Sequence, residues 1–362
     1  MKNSYRDAMD ALRFTPEQKE QMVEHLLSAP AAGKVVRPLR FRRFAAAGAA
    51  AALVLSLGVA GATGALGSAG EAFAGLFGGG AAETEIIDQI GYPIGASATS
   101  NGVTITADAI VGDTYSYAIV YSIQRDDGEP LVSQEVLDAG GAYGGRLSLA
   151  FERHDLQQNH LLALLQGGRG GYSHFYDADP ADGAIQFVEF WTEDTPVRPG
   201  RVTATFQDLY DTSAGYADKV LLAEGSWELE FRMDFADSSV SLEAGQGFTL
   251  NGMDATLDSV VVSPLSIMVE YTVYEKVPEV AREDGLEDAG SDPYAPFRDL
   301  PIVITYTDGS ALEIESGNTS VSSGGGSSTK CTKGLVVETL RPLDEVASVT
   351  VGGIVLPVST ER

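Results

Sequence analysis

Asp177, Asp179 and Asp182 stand close together ahead of Gly183, and this is the stretch of the chain best furnished to hold a hard cation. Calcium takes oxygen ligands from such clusters, and Glu189 follows as a further donor. The D-x-D-x-D-G order of an EF-hand loop is nonetheless broken by one residue, and Pro180 intrudes. An acidic turn is therefore the plainer reading, with calcium ligation a weak candidate. Glu189 and Glu193 could serve as an acid and base pair in glycoside hydrolysis if they faced one cleft. His154 and His160, beside Glu152 and Asp155, could be assembled into a zinc site, but the chain holds only four histidines, which favours surface histidines. No HExxH, G-x-S-x-G or P-loop is present, and Gly167–Gly171 lacks the strand-to-helix setting in which glycine loops bind phosphate. No catalytic residue and no cofactor are expected. Cys331 is the single cysteine, so no intramolecular disulfide can form; it reads as an incidental thiol in a polar segment.

The elements that must position these groups are mostly strands. Val103, Ile105 and Ala107 alternate with Thr104, Thr106 and Asp108, and Tyr115–Ile123 is rich in aromatic and β-branched residues. Arg146–Glu152, Ala184–Trp191, Val202–Phe206 and Trp227–Phe235 have the same character, with turns at Asp126–Gly128, Gly140-Gly141, Gly167–Gly171 and Asp182-Gly183. Trp191 and Trp227 fall at positions where aromatic residues fill a core. A second series follows: Val240–Leu242, Phe248–Leu250, Ala255–Val262, Ser266–Tyr274, Ile302–Thr307, Leu312–Glu315, Gly334–Leu340, Ala347–Val351 and Ile354–Val358. This density of short strands suits an immunoglobulin-like sandwich without the Cys-Trp-Cys core of antibody domains. The 278–296 gap reads as an acidic loop and Ser322–Ser328 as a flexible one.

Ahead of the strands, no charge occurs from Phe44 to Gly70, directly after Arg37, Arg40, Arg42 and Arg43. As a helix, Ala45–Leu66 would reach roughly 33 Å, enough for a hydrocarbon core of about 30 Å. The arginines place the N-terminal side in the cytoplasm. Residues 1–70 hold nine basic and five acidic residues, whereas 71–362 hold 15 basic and 46 acidic, a net charge of −31. Such an exterior is unsuited to nucleic acid. Ala72-Phe73-Ala74 has the form a signal peptidase reads, but 43 residues precede the apolar run, which favours a retained anchor.

The tail before the run reads as two short helices. Tyr5, Ala8, Met9 and Leu12 recur at helical spacing, and Thr15-Pro16-Glu17-Gln18 offers an N-cap, a first-turn proline and a capping-box glutamine. Met22, Val23, Leu26 and Leu27 then line one side of the second helix. Two such helices bury little against each other, so their apolar faces call for a partner.

The segments Ile86-Ile87-Asp88-Gln89-Ile90-Gly91, Asn101–Ile110, Gly112-Asp113 and Tyr117-Ala118-Ile119-Val120, behind an anchor and a short spacer, resemble Firmicute membrane proteins carrying the domain of unknown function forty-one seventy-nine. Residues 240–358 look like the small immunoglobulin-like domain that often follows it. The resemblance implies an anti-sigma-factor-like regulator whose cytoplasmic tail holds an extracytoplasmic-function sigma factor, with Tyr5, Met9, Leu12, Met22, Val23, Leu26 and Leu27 as the partner-binding residues. The tail departs from better understood anti-sigma factors in lacking the His-x-x-x-Cys-x-x-Cys zinc pattern. The expected organisation is mainly β: a cytoplasmic helical tail (1–35), one transmembrane helix (44–66), a Gly/Ala-rich spacer (67–81), a first extracellular β domain (82–238) and a C-terminal immunoglobulin-like sandwich (240–358). The alternative function is a surface or wall-associated binding module without a sigma-factor role.

Overall fold

The computed structural model describes residues 68–77, 80–141, 145–158, 168–278, 292–315, 317–323, 327–337 and 339–359. The tail helices, their partner-binding residues, the four arginines, the expected span 44–66 and His160 lie outside the described residues. Among the described residues, no helix is long and apolar enough to cross a membrane.

The chain is mainly β. Two helices, α1 (Ala69–Phe77) and α2 (Ala81–Ile90), lead into β1 (Gly91–Ser100), β2 (Val103–Gly112), β3 (Ser116–Arg125), a short α3 (Gln134–Gly141), β4 (Leu149–Gln158), β5 (Arg169–Tyr176), β6 (Ile185–Glu193), β7 (Gly200–Asp211) and β8 (Val220–Met233). There follow β9 (Val240–Leu242), β10 (Gly247–Leu250), β11 (Met253–Val262), β12 (Ser266–Val273), α4 (Ala295–Arg298), β13 (Ile302–Tyr306), β14 (Ala311–Ile314), β15 (Asn318–Ser323), β16 (Thr329–Val336), β17 (Val346–Val351) and β18 (Ile354–Pro357).

Residues 67–81, expected to be a spacer, contain α1 instead. Ser68 and Glu71 form a reciprocal capping box, the Glu71 amide donating to Ser68 Oγ and the Ser68 amide to the Glu71 carboxylate. Phe73 and Phe77, one turn apart, are then buried. Gly70 lies so close to Thr84 of α2 that a side chain there would collide, and its amide donates to Asp88 Oδ1 at 2.7 Å. The pair covers one face of the first sheet, where Ile86, Ile87 and Ile90 join Ala109, Val111, Ala118, Val120 and Val188. Phe77 meets Phe190 edge to face.

That sheet runs β1-β2-β3-β6-β5, and its other face shares a core with the sheet β4-β7-β8. Trp227 anchors this core, wholly buried, its indole N–H donating to Val103 O at 2.9 Å. Further along the chain the arrangement recurs. β10-β11-β12-β16-β15, with β9 beside β11, faces β14-β13-β17-β18 across a core continuous with the one beneath α1 and α2.

The recurrence extends to single residues 150 positions apart. Asn101-Gly102 and Asn251-Gly252 turn the β1–β2 and β10–β11 hairpins at positive φ, the combination a two-residue hairpin loop demands. A bulge interrupts pairing between Ala107 and Ala109 in one half and between Leu257 and Ser259 in the other. Beside each bulge a hydroxyl donates to an aspartate at 2.6 Å, Ser122 to Asp108 and Thr272 to Asp258. At the next turn Asp113 Oδ1 accepts from the Ser116 amide, and its counterpart Ser263 accepts through Oγ from the Ser266 amide. These two equivalent groups are bonded to each other: the hydroxyls of Ser263 and Ser266 both donate to Asp113 Oδ2, joining the halves through a buried contact. Burial pushes the Asp113 carboxyl pKa up, and its hydrogen bonds oppose that shift.

One expected turn is a strand, and one polar segment is a buried strand. β5 starts within Gly167–Gly171, because Gly171 approaches Phe190 O and Trp191 more closely than a side chain would allow. β16 begins at Thr329, so Cys331 lies in a buried strand opposite Tyr271 and is no incidental surface thiol. Burial pushes its thiol pKa up to about 11.

Candidate functional site

Chemistry-bearing side chains collect in the first core as a seam between β3, β4 and β6. Strand parity puts Glu189, Trp191 and Glu193 on one face of β6, Tyr117 and Tyr121 on the same face of β3, and His154 and Gln158 opposite on β4. Glu189 is 1% exposed and accepts three hydrogen bonds: Tyr121 Oη at 2.6 Å, Trp191 Nε1 at 2.7 Å and His154 Nε2 at 3.0 Å. His154 stacks on Phe206 and meets Phe187 edge on, which holds its ring toward the carboxylate.

A second tier lies four residues along each strand. Gln158 Nε2 donates to Glu193 Oε1 at 3.3 Å. Burial raises the Glu193 pKa, and the nearby Arg169 guanidinium opposes it. That guanidinium sits 4.5 Å over the Trp191 ring and donates to Leu156 O, closing the seam toward solvent. The phenols of Tyr117 and Tyr121 are driven upward in pKa, first by burial and then by the carboxylates they face.

Such an arrangement holds charge rather than spending it. Both Glu189 oxygens are occupied by fixed donors, and a carboxylate so committed is a poor nucleophile or base. Glu189 and Glu193, four residues apart on one strand, have Cα atoms separated by about 13 Å. Paired glycosidase carboxylates stand about 5–9.5 Å apart around an open bond. These two are instead buried against β4.

The calcium candidates share one turn without converging. Asp179 Oδ1 accepts from the Ala181 amide at 3.0 Å and Asp182 Oδ1 from the Ala184 amide at 2.8 Å, so both fold back on their own loop. Asp177 is raised in pKa, by burial first and then by the charges of Asp182 and Asp179. Among the described residues, no group of three His, Cys, Asp or Glu side chains is placed to hold a metal. Of the zinc candidates, His154 is bonded through Nε2 to Glu189, and His160 lies outside the described residues.

Lys333 was missed from sequence. It occupies on β16 the place of Glu189 on β6: Glu189 pairs with Ile119, Lys333 with Val269. Buried at 4% exposure, its ammonium donates to Leu300 O at 2.8 Å, Ile314 O at 3.4 Å and Glu315 O at 3.5 Å, and burial lowers its pKa. For Glu189 the signal was a charged residue among the apolar residues of Ile185–Trp191, whereas Lys333 sits in a strand rich in threonine and lysine that hides its burial.

No family model matches the chain, and no curated protein matches it. Among solved structures, a conserved domain protein from Bacillus anthracis is similar at 14% identity, over 72% of this chain and 76% of that one, with a TM-score of 0.43.

Proposed function

We propose that this chain is a single-pass membrane regulator, its β exterior sensing an envelope condition and its tail sequestering an extracytoplasmic-function sigma factor. Charge supports the two compartments: a basic tail and arginine flank, an uncharged run, then an exterior of net charge −31. The observation that carries signalling over simple anchorage is the join. α1 begins at Ala69, still inside the uncharged run, and Phe73 and Phe77 seat it on the first sheet. A change in that sheet would reach the run through a packed helix instead of a loose linker. In the tail, Met9, Leu12, Met22, Val23, Leu26 and Leu27 would supply a helix-in-groove contact, and rearrangement or proteolysis would release it.

The test is co-purification. Full-length tagged chain, extracted in detergent from its native host, should carry an extracytoplasmic-function sigma factor identified by mass spectrometry, and a Leu26→Asp/Leu27→Asp variant should not. Recovery of no sigma factor with the parent chain would overturn the assignment.

A further inference from the structure

Between the two halves lies a cleft of about 740 Å³, within the range of small-ligand sites. One wall comes from β5 and β6 of the first half and the other from β14, β16, Glu315, Gly317 and Asn318 of the second. Tyr172 dominates the first wall. It stacks on Phe190 at 4.8 Å with 19° between planes, and His174 lies parallel to the same Phe190 ring at 16°. Tyr172 is on the edge strand and remains 43% exposed, so a broad aromatic surface borders the cleft. Burial, with Arg146 nearby, lowers the His174 pKa to about 4, which keeps this stack uncharged at neutral pH.

Around the rings the lining combines apolar side chains such as Leu312, Ile314 and Leu335 with polar groups of both signs, Arg146, Glu313, Glu315, Asn318 and Thr339. Gly170 and Gly171 thin the first wall, and Asn318 reaches across to donate to Thr192 O at 3.3 Å. A polyanion would be repelled by Glu313, Glu315 and the net charge of the exterior. A purely apolar ligand would leave these polar groups without water or a partner. A pyranose ring meets both demands, since it offers a C–H face for an aromatic ring and hydroxyl or acetamido groups for carboxylate, guanidinium and amide.

We infer that the cleft between the halves is a binding site for a neutral glycan, stacked on Tyr172 and hydrogen-bonded by Glu313, Glu315 and Arg146. This deepens the sensing role proposed above by naming a ligand class, and it rests on the exterior alone.

Calorimetric titration of the detergent-solubilised full-length chain with chitohexaose, a neutral N-acetylhexosamine oligomer, tests it without any sigma factor present. Its failure is thus distinct from failure of the tail assignment. Binding should be saturable, weaken about tenfold in Tyr172→Ala, and stay within about threefold in Tyr172→Phe, which keeps the ring. Tyr274→Ala, removing an exposed ring elsewhere, should bind as the parent does. No binding of the sugar, equal binding by Tyr172→Ala, or displacement of the sugar by an unfolded polypeptide such as carboxymethylated lactalbumin would overturn the inference.

Discussion

The two halves of this protein use the same strand order in their larger sheets, the same Asn-Gly hairpin and the same bulge, yet bury opposite charges at the same place. Glu189 is satisfied by side chains from three strands, Lys333 by backbone carbonyls. A carboxylate can only accept, so its position needs a tyrosine, an indole and an imidazole aimed at it. An ammonium can only donate, and strand ends supply carbonyls whatever the neighbouring residue types. The second half could therefore hold its charge with an ordinary strand-end geometry, whereas the first had to build a specialised aromatic core around its own.

This difference can be broken most severely at Glu189. Glu189→Ala leaves one buried and two part-buried donors unpaired and should lower unfolding free energy by about 3–5 kcal/mol in a urea titration. Lys333→Met keeps the apolar stem and loses only the donations, so the same titration should give a smaller loss, about 1–3 kcal/mol. An equal or larger effect at Lys333 would show that the halves do not differ in this way.

Next comes the contact joining them. Asp113→Ala removes the acceptor for the Ser263 and Ser266 hydroxyls and should cost about 2–3 kcal/mol. Ser263→Ala should cost about 1 kcal/mol more than a surface serine change, measured by thermal unfolding.

A subtler contrast lies at the paired aspartates beside the bulges. Burial pushes the Asp108 pKa up to about 6 from an ordinary 3.8, against the Ser122 hydrogen bond. A carboxyl raised on folding contributes stability that is fully present below 3.8 and lost as pH rises through 6. Asp108 is partly exposed, so the loss should be about 1–2 kcal/mol rather than the full linkage value. Asp108→Asn should flatten that part of the stability profile between pH 4 and 7. Asp258 is exposed, and Asp258→Asn should change unfolding free energy by less than about 0.5 kcal/mol.

Strand periodicity made much of this fold legible. Val103–Asp108 falls on a strand because one of its faces is buried and alternation records that, Ala184–Trp191 because an apolar run is buried on both faces, and the second series from Val240 largely does so, although Gly334–Leu340 runs past the end of β16 at Val336. The edge strands β5 and β15 escaped, since glycine, serine and asparagine there carry little apolar pattern. α1 was hidden by composition: alanine and glycine read as spacer, and only Phe73 and Phe77 mark its packed side. The repeat was also in view, as Asn101-Gly102, Asp108 and Tyr121 recur as Asn251-Gly252, Asp258 and Tyr271 at constant spacing. Most intervening residues differ, because alternation constrains parity and apolarity more than identity. The seam around Glu189 was half legible: the glutamates drew notice as possible chemistry, but the sequence does not reveal that Tyr121, His154 and Trp191 would occupy them.

Compartment assignment is the central claim, and impermeant-maleimide labelling of intact cells tests it most directly. Cys331 is 2% exposed and should stay unlabelled, which leaves a clean background. Tyr216→Cys, at a position 60% exposed, should label at once, whereas Glu20→Cys should label only after the membrane is permeabilised. Labelling of both in intact cells, or of neither, would contradict a chain divided by the uncharged run.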